Sequence, residues 1–295
     1  MSESSLSIKI WDVQHGSAAL IQTPNGKKIV QDLGVGSYQT GSENFSPLKH
    51  LKKKYGITKV DWVIITHPHR DHIDDIFTLS NLNLGSYRFS RPKDLDKDKI
   101  LAAKANEQGL DKFKKYFEIG EGHRAKVDPD TNPQSASNNG GADIQLFYPE
   151  PADSSNLDKC LNNRSLVTIL TYAGNKLILP GDNEQESWEE LLARDNFKKA
   201  IRGTSIFIAP HHGRLSGFCQ EIFDHFKPKL TIISDKQVEE TDAADKYKGV
   251  TTGYPVLHTT DGHYEPRFVL STRADKRIEI EFGTQFDGGI AVRIA

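Results

Sequence analysis

The sequence predicts an α/β protein built in layers, and two observations carry that expectation. Short apolar runs bounded by Gly, Pro or Asn alternate with segments whose apolar residues recur at helical spacing. Three of the apolar runs end in side chains able to bind a metal ion. These are His67-Pro68-His69-Arg70-Asp71-His72 after residues 61–66, Gly181-Asp182 after residues 176–179, and His211-His212-Gly213 after residues 205–210.

The elements follow in order. Residues 6–13 alternate partly like a strand, and residues 18–21 and 28–30 read as further strands joined by the turn Thr23-Pro24-Asn25-Gly26, which gives an antiparallel opening. Asp32, at the end of the third strand beside Gly34 and Gly36, is placed to hydrogen-bond a neighbouring site. A helix is expected over residues 46–55, with Pro47 in its first turn and Gly56 as its cap. The strand at residues 61–66 then delivers the histidines. Residues 91–126 carry ten Lys or Arg against seven Asp or Glu, with Phe113, Tyr116 and Phe117 near the end. They are expected as a mostly helical insertion, spanning about 85–142 with the Pro, Asn, Ser and Gly-rich loop 128–141 that follows. Its charged side is either a solvated face or a platform beside the site. Strands follow at 144–148, 165–172 and 176–179, then one helix over 183–201 around Trp188, Leu191, Leu192 and Phe197, and a buried strand at 205–210. Residues 236–254, with Lys236, Glu239, Glu240, Asp242, Tyr247 and Tyr254, read as a polar loop near the rim of the site.

Composition narrows the function. The chain has 295 residues, 36% hydrophobic and 26% charged, enough to bury a substantial core, and the candidate ligands from position 67 to position 211 argue for one domain over 1–295. A net charge of −2 offers no global attraction for nucleic acid, so a polyanion must be held by a local patch. Two cysteines, Cys160 and Cys219, cannot form a disulfide framework, and the first residues lack the pattern of a signal peptide, so a reducing cytoplasm is the expected setting. No apolar run approaches the ~18 residues that a membrane span needs.

Imidazole and carboxylate ligands suit zinc and also accept manganese or iron. His67 and His69 can converge on one ion, with Asp71 and His72 turned toward a second, so two divalent ions, zinc or manganese, are expected. Two ions ~3.5–4 Å apart need a bridging carboxylate, and Asp182 is the candidate. His211 directly follows an apolar strand and is the expected last ligand. His212 is then a supporting group or the acid that protonates the leaving group.

His67-x-His69-x-Asp71-His72, with Asp32 upstream and Gly181-Asp182 and His211 downstream, resembles the metallo-β-lactamase superfamily over about residues 6 to 282. Asp12-Val13-Gln14-His15-Gly16, Asn162-Asn163-Arg164-Ser165, His211-His212-Gly213 and the closing 268–280 are similar to the hydrolase domain of competence, ComEC-type, DNA-uptake proteins. The resemblance implies a four-layer αββα sandwich with the site along one edge of its paired sheets. It also implies Asn162 and Ser165 at the substrate side, with Asn162 or Cys160 standing where many members have another histidine. Arg214 replaces a usual serine, and is either a phosphate-binding guanidinium or a surface residue. The function implied is a dinuclear phosphodiesterase, a nuclease on DNA or RNA, with Asp71 orienting the attacking hydroxide and Lys or Arg of 91–126 forming a phosphate track. The alternatives are a hydrolase of a small phosphodiester or ester, such as a cyclic nucleotide, and a degenerate module that binds metal or a partner. A regulatory protein partner is expected for a stand-alone nuclease, as in a defence or toxin system.

Overall fold

The computed structural model describes residues 4–36, 45–82, 84, 87–123, 129–152, 155–235 and 243–295. Strands β1 (Leu6–Ile10), β2 (Ala19–Gln22) and β3 (Lys28–Gln31) form the expected antiparallel opening. In β1, buried Leu6, Ile8 and Ile10 alternate with half-buried Ser7 and Lys9, the period of a strand. Helix α1 (Pro47–Tyr55) starts at Ser46, whose hydroxyl accepts the Lys49 amide at 3.1 Å, and stops at Gly56 in the left-handed region. Next, β4 (Trp62–Ile64) runs parallel to β3 and is followed by α2 (Arg70–Ile73), α3 (Ile76–Asn81) and β5 (Arg88–Ser90), which is parallel to β4.

The charged insertion becomes α4 (Lys97–Ala103) and α5 (Leu110–Gly122). Both are amphipathic: Ile100, Phe113, Tyr116 and Phe117 are buried while lysines face outward. Several of those lysines already have anionic partners. Lys97 meets Glu121 at 2.8 Å, Lys115 meets Glu118 at 2.7 Å, and Lys112 pairs with Asp74. The loop beyond is organised by two short 3-10 turns, Pro129–Thr131 and Ala136–Asn139, with residues 124–128 outside the described residues.

Strand β6 (Asp143–Phe147) and helix α6 (Leu157–Asn162) lead to the hairpin β7 (Val167–Tyr172) and β8 (Asn175–Leu179). The single helix expected over 183–201 is two helices, α7 (Gln185–Leu192) and α8 (Asp195–Ile201). The break falls at Arg194, whose backbone is extended and whose guanidinium donates to the Tyr148 carbonyl at 3.1 Å, a tertiary contact that continuous helix would forfeit. Strands β9 (Ile206–Ile208) and β10 (Leu230–Ile233), helix α9 (Ala244–Val250), and strands β11 (Tyr254–His258), β12 (Tyr264–Arg267) and β13 (Val269–Ser271) follow. The chain closes with α10 (Thr272–Asp275), β14 (Ile278–Phe282) and β15 (Ile290–Ile294). The polar loop expected at 236–254 is corrected in part. Tyr247 is fully buried on α9, edge-on to Phe218 at 5.1 Å, because its ring completes a hydrophobic core. Tyr254 opens β11, while Lys236, Glu239, Glu240 and Asp242 lie outside the described residues.

Among the described residues the strands make a nine-stranded sheet, β12-β11-β15-β14-β1-β2-β3-β4-β5, and a six-stranded sheet, β13-β10-β9-β8-β7-β6. Three cores define the layers. Ile8, Ile21 and Ile64 of the first sheet pack with Leu170, Leu177 and Ile232 of the second. On its other face the first sheet buries Val30, Val63 and Ile65 against Leu51, Ile76 and Phe117 of its helices. The second sheet does the same with Ile169 and Phe207 against Trp188, Phe197 and Tyr247. Helix, sheet, sheet, helix is therefore the observed order, the αββα sandwich. Each buried Leu, Ile or Phe contributes roughly 1.5–3 kcal/mol of burial. Strands β3, β4 and β5 are mutually parallel, as are β8, β9 and β10, so within each sheet the carboxyl ends that carry the candidate ligands share an edge.

Candidate metal centre

Asp71, His72, Asp182 and His212 meet beyond the ends of β4, β8 and β9, each offering a ligand atom within 4.8 Å of the others. His72 Nε2 lies 3.3 Å from Asp182 Oδ1, and His212 Nε2 lies 3.2 Å from Asp71 Oδ2 and 3.3 Å from Asp182 Oδ2. His67 adjoins this group through Asp182, and His69 adjoins His67. His67 Nε2 is 3.8 Å from Asp182 Oδ2 and 2.9 Å from His69 Nδ1.

Backbone geometry explains how these side chains reach one point. Gly181 has a φ of 63°, and a Cβ there would come within 2.8 Å of the Cβ atoms of Ser165 and Thr66, so the turn before Asp182 admits only glycine without displacement. His211 and His212 are both left-handed, with φ of 49° and 56°, as is Asp32 at 58°. Such conformations in residues other than glycine cost about 1–3 kcal/mol each and persist where surrounding contacts enforce them.

The rings are oriented from behind. Asp32, fully buried, accepts from His72 Nδ1 at 2.9 Å and from the Thr66 amide at 2.8 Å. Ser165 Oγ lies 3.1 Å from His67 Nδ1 and also accepts the Asp182 amide at 3.1 Å. His212 Nδ1 is held 2.9 Å from the Ser234 carbonyl. In each ring the Nδ1 position is engaged by protein, which turns Nε2 toward the centre.

Two sequence expectations change. The structure brings His212, rather than His211, into the group, because consecutive left-handed residues point the two rings apart. The His211 ring sits with Nδ1 2.9 Å from Ser216 Oγ and 3.1 Å from Glu184 Oε1, and with Nε2 3.2 Å from the Arg214 guanidinium. Ser165, expected at the substrate side, is fully buried behind His67. Asn162 keeps a place on the cleft wall, donating to Glu184 Oε1 at 3.1 Å, and Cys160 is not among the residues that line the cleft. Arg214 lines it too.

Electrostatics follow from burial and mutual proximity. Burial and the neighbouring imidazoles of His72 and His69 hold His67 well below its ordinary pKa. For His72 and His212 burial also opposes the charge, but the carboxylates around them outweigh it, lifting His72 well above its usual value and His212 to about 10. Burial pushes Asp71 and Asp182 up, and the facing imidazoles more than offset it, holding both below the carboxylate range. Those protons are held where negative charge is dense, and a divalent ion would displace them, since a ligating imidazole is neutral.

The residues fit such an ion. His72 Nε2 is buried facing the carboxylates of Asp182 and Asp71 at 3.3 and 3.8 Å, and Asn162 Oδ1 is buried without a hydrogen-bond partner among the described residues. His72 and His212 with the carboxylates of Asp71 and Asp182 form a nitrogen and oxygen donor set suited to a borderline divalent metal. The cleft above measures about 300 Å³ and is walled by His15, Arg70, Lys104, Phe113 and Asp158. A larger cavity of about 680 Å³ opens beside Asp61 and Trp62, at the other end of β4 from the histidines.

Sequence reasoning missed four supporting residues. Thr66 Oγ1 donates to Asp32 at 2.9 Å, and Glu184 joins His211 to Asn162. Asp158 lies 3.3 Å from His69 Nε2 and is itself paired with Lys104 at 2.8 Å. His15 stacks at a tilt on His212, ring centres 4.8 Å apart, with Nε2 3.6 Å from Asp71 Oδ2. Only His15 carried a signal, as part of the quoted 12–16 motif.

No protein-family model matches the chain. In sequence it is 26% identical over 242 residues to ComE operon protein 3 of Bacillus subtilis, an alignment that covers 76% of this chain and 27% of that protein. The chain thus matches about a quarter of that relative's length. Among solved structures it is similar to the metallo-β-lactamase fold protein YhfI from Bacillus subtilis, with a TM-score of 0.49, 14% identity, and 92% and 99% of the two chains covered. It is also similar to a putative metal-dependent hydrolase from Parabacteroides distasonis, with a TM-score of 0.42, 17% identity, and 84% and 96% covered. Igni18, a metallo hydrolase from Ignicoccus hospitalis, gives a TM-score of 0.38 at 18% identity, covering 77% of this chain and 81% of its own. Among the described residues no helix is long and apolar enough to cross a membrane.

Proposed function

We propose that the chain is a metal-dependent phosphodiester hydrolase acting on nucleic acid. One observation carries the reading. Asp182 is shared between two facing donor groups, His67 with His69 and Asp71 with His72 and His212, at the floor of a cleft whose wall holds Arg70, Lys104 and Arg214. When bound, two divalent ions of the zinc or manganese kind would supply Lewis acidity toward a phosphoryl group and offset its developing charge. The chain's own groups do the rest. Arg214 presents a planar guanidinium to a phosphate oxygen, and Lys104 adds positive charge at the wall. Asp71 accepts a hydrogen bond from the attacking water and so fixes its direction. With His212 committed to the floor, His15 at the cleft wall is the imidazole placed to donate a proton to the leaving oxygen.

The pattern that the sequence shares with the hydrolase domain of DNA-uptake proteins supports a polynucleotide substrate. A small phosphodiester such as a cyclic nucleotide remains the second reading, favoured by the cleft's volume of about 300 Å³, which suits a compact ligand. A cytoplasmic setting and a restraining protein partner accompany the proposal, as does a single folded unit over 1–295.

The test is cleavage of labelled single- and double-stranded DNA and RNA by the purified chain with manganese or zinc, beside His69→Ala and Asp182→Asn. Metal-dependent cleavage lost in both variants is the expected result. Turnover of a cyclic nucleotide without polymer cleavage would replace it with the second reading, and loss of neither activity in Asp182→Asn would overturn the site itself.

A further inference from the structure

A second group of donors lies on the β11–β12 hairpin, and none of its residues lines the cleft. His258, His263 and Glu265 each place a ligand atom within 4.8 Å of the other two. The hairpin brings them together by its register. Leu257 pairs with Tyr264, and one step further the His258 amide donates to the His263 carbonyl at 2.9 Å, so the two histidines sit opposite each other on one side of the ribbon. Glu265, two residues along β12, falls on that same side. The imidazoles stack with ring centres 4.0 Å apart and planes 16° from parallel, and His258 Nε2 lies 3.1 Å from Glu265 Oε2.

We propose that His258, His263 and Glu265 bind one borderline divalent transition ion, of the zinc, nickel or copper class, which clasps the hairpin shut. Asp261 supports this from outside the donor set. Its Oδ1 lies 2.6 Å from His263 Nδ1, the carboxylate-to-imidazole arrangement that fixes the tautomer and leaves Nε2 as a lone-pair donor. Two imidazoles and one carboxylate match the ligand set of three-residue zinc sites, with a water completing the tetrahedron. They do not match magnesium or calcium, which take oxygen ligands. The location gives the ion something to do. β12 is the outermost strand of the nine-stranded sheet among the described residues, Tyr264, Glu265 and Pro266 are exposed, and Tyr264 is 67% exposed, so little packing holds the strand down. An ion with one ligand from β11, one from the end of the turn and one from β12 would join the strands directly.

Zinc titration of the untagged full chain against a chromophoric chelator, together with hydrogen exchange of amides 256–266, tests the inference. Wild type is expected to bind one zinc more than His263→Ala or His258→Ala. At zinc ~100-fold above the dissociation constant, opening of the hairpin should be suppressed about 100-fold. Asp182→Asn, which disables the cleft, should keep that hairpin protection, and Asp261→Asn should weaken hairpin zinc by about 10- to 100-fold. Magnesium should leave hairpin exchange unchanged. Equal zinc content in wild type and His263→Ala, or hairpin exchange in Asp182→Asn that ignores zinc, would overturn the clasp. The Asp182→Asn arm keeps the test sound if a histidine variant folds poorly, and it separates this site from the proposed catalytic one.

Discussion

Replacing Asp32 by asparagine probes the candidate metal centre from behind without touching a ligand. Both carboxylate oxygens of Asp32 act as acceptors. Oδ1 takes the Thr66 amide at 2.8 Å, and Oδ2 takes His72 Nδ1 at 2.9 Å, with the Thr66 hydroxyl donating to both. An amide in either orientation offers one acceptor and one donor, so either Thr66 N–H or His72 Nδ1–H faces a donor in a fully buried space. A buried donor left unsatisfied costs about 1–3 kcal/mol, and the loss of an outer partner to a metal-binding imidazole typically lowers metal affinity by about 10- to 100-fold. The expected outcome for Asp32→Asn is therefore a dissociation constant for zinc or manganese raised by about 10- to 100-fold, with a folded chain of lower melting temperature. Competition with a chelator of known affinity measures the first and circular dichroism the second. An Asp32→Asn chain that binds both metals like wild type, while Asp182→Asn does not, would refute the claim that Asp32 sets the His72 tautomer.

Two further outcomes follow from the geometry. His212→Ala should lose more metal affinity than His211→Ala in the same competition assay, because the His212 ring faces Asp71 and Asp182 whereas the His211 ring is held by Ser216 and Glu184; the reverse order would restore His211 as the ligand. Gly181→Ala adds a Cβ 2.8 Å from those of Ser165 and Thr66 at a φ of 63°, and should destabilise the fold by about 2–4 kcal/mol in denaturant titration while weakening metal binding through Asp182.

How far the sequence reveals this molecule depends on the range of the interaction. The strand at 61–66 and the donors after it are local, since a run of Trp62, Val63, Ile64 and Ile65 followed by His67 and His69 needs no distant partner to be read. The cap at Ser46 and the stop at Gly56 are local in the same way. The choice between His211 and His212 was illegible, because it rests on two consecutive left-handed residues, a conformation uncommon outside glycine that neighbouring segments impose. Thr66 as a brace, and the pairing of Asp158 with His69, depend on contacts 34 and 89 residues apart along the chain. The break at Arg194 depends on Tyr148, which comes 46 residues earlier. Helical periodicity carries no information about such a tether, so the longer helix was the natural expectation.

The pairing of β1 with β14 has a consequence for how the chain comes off the ribosome. Leu6 lies opposite Phe282 and Ile10 opposite Ile278, so β1 waits for a partner made 268 residues later (278 − 10). Until then one edge of β1 presents unpaired amides and carbonyls, the surface on which chains join one another. Synthesis at about 5–20 residues per second leaves that edge open for tens of seconds. A nascent chain stalled before residue 278 would therefore have a nearly finished second sheet beside a first sheet with a raw margin, which makes it a client for chaperones and a nucleus for aggregation.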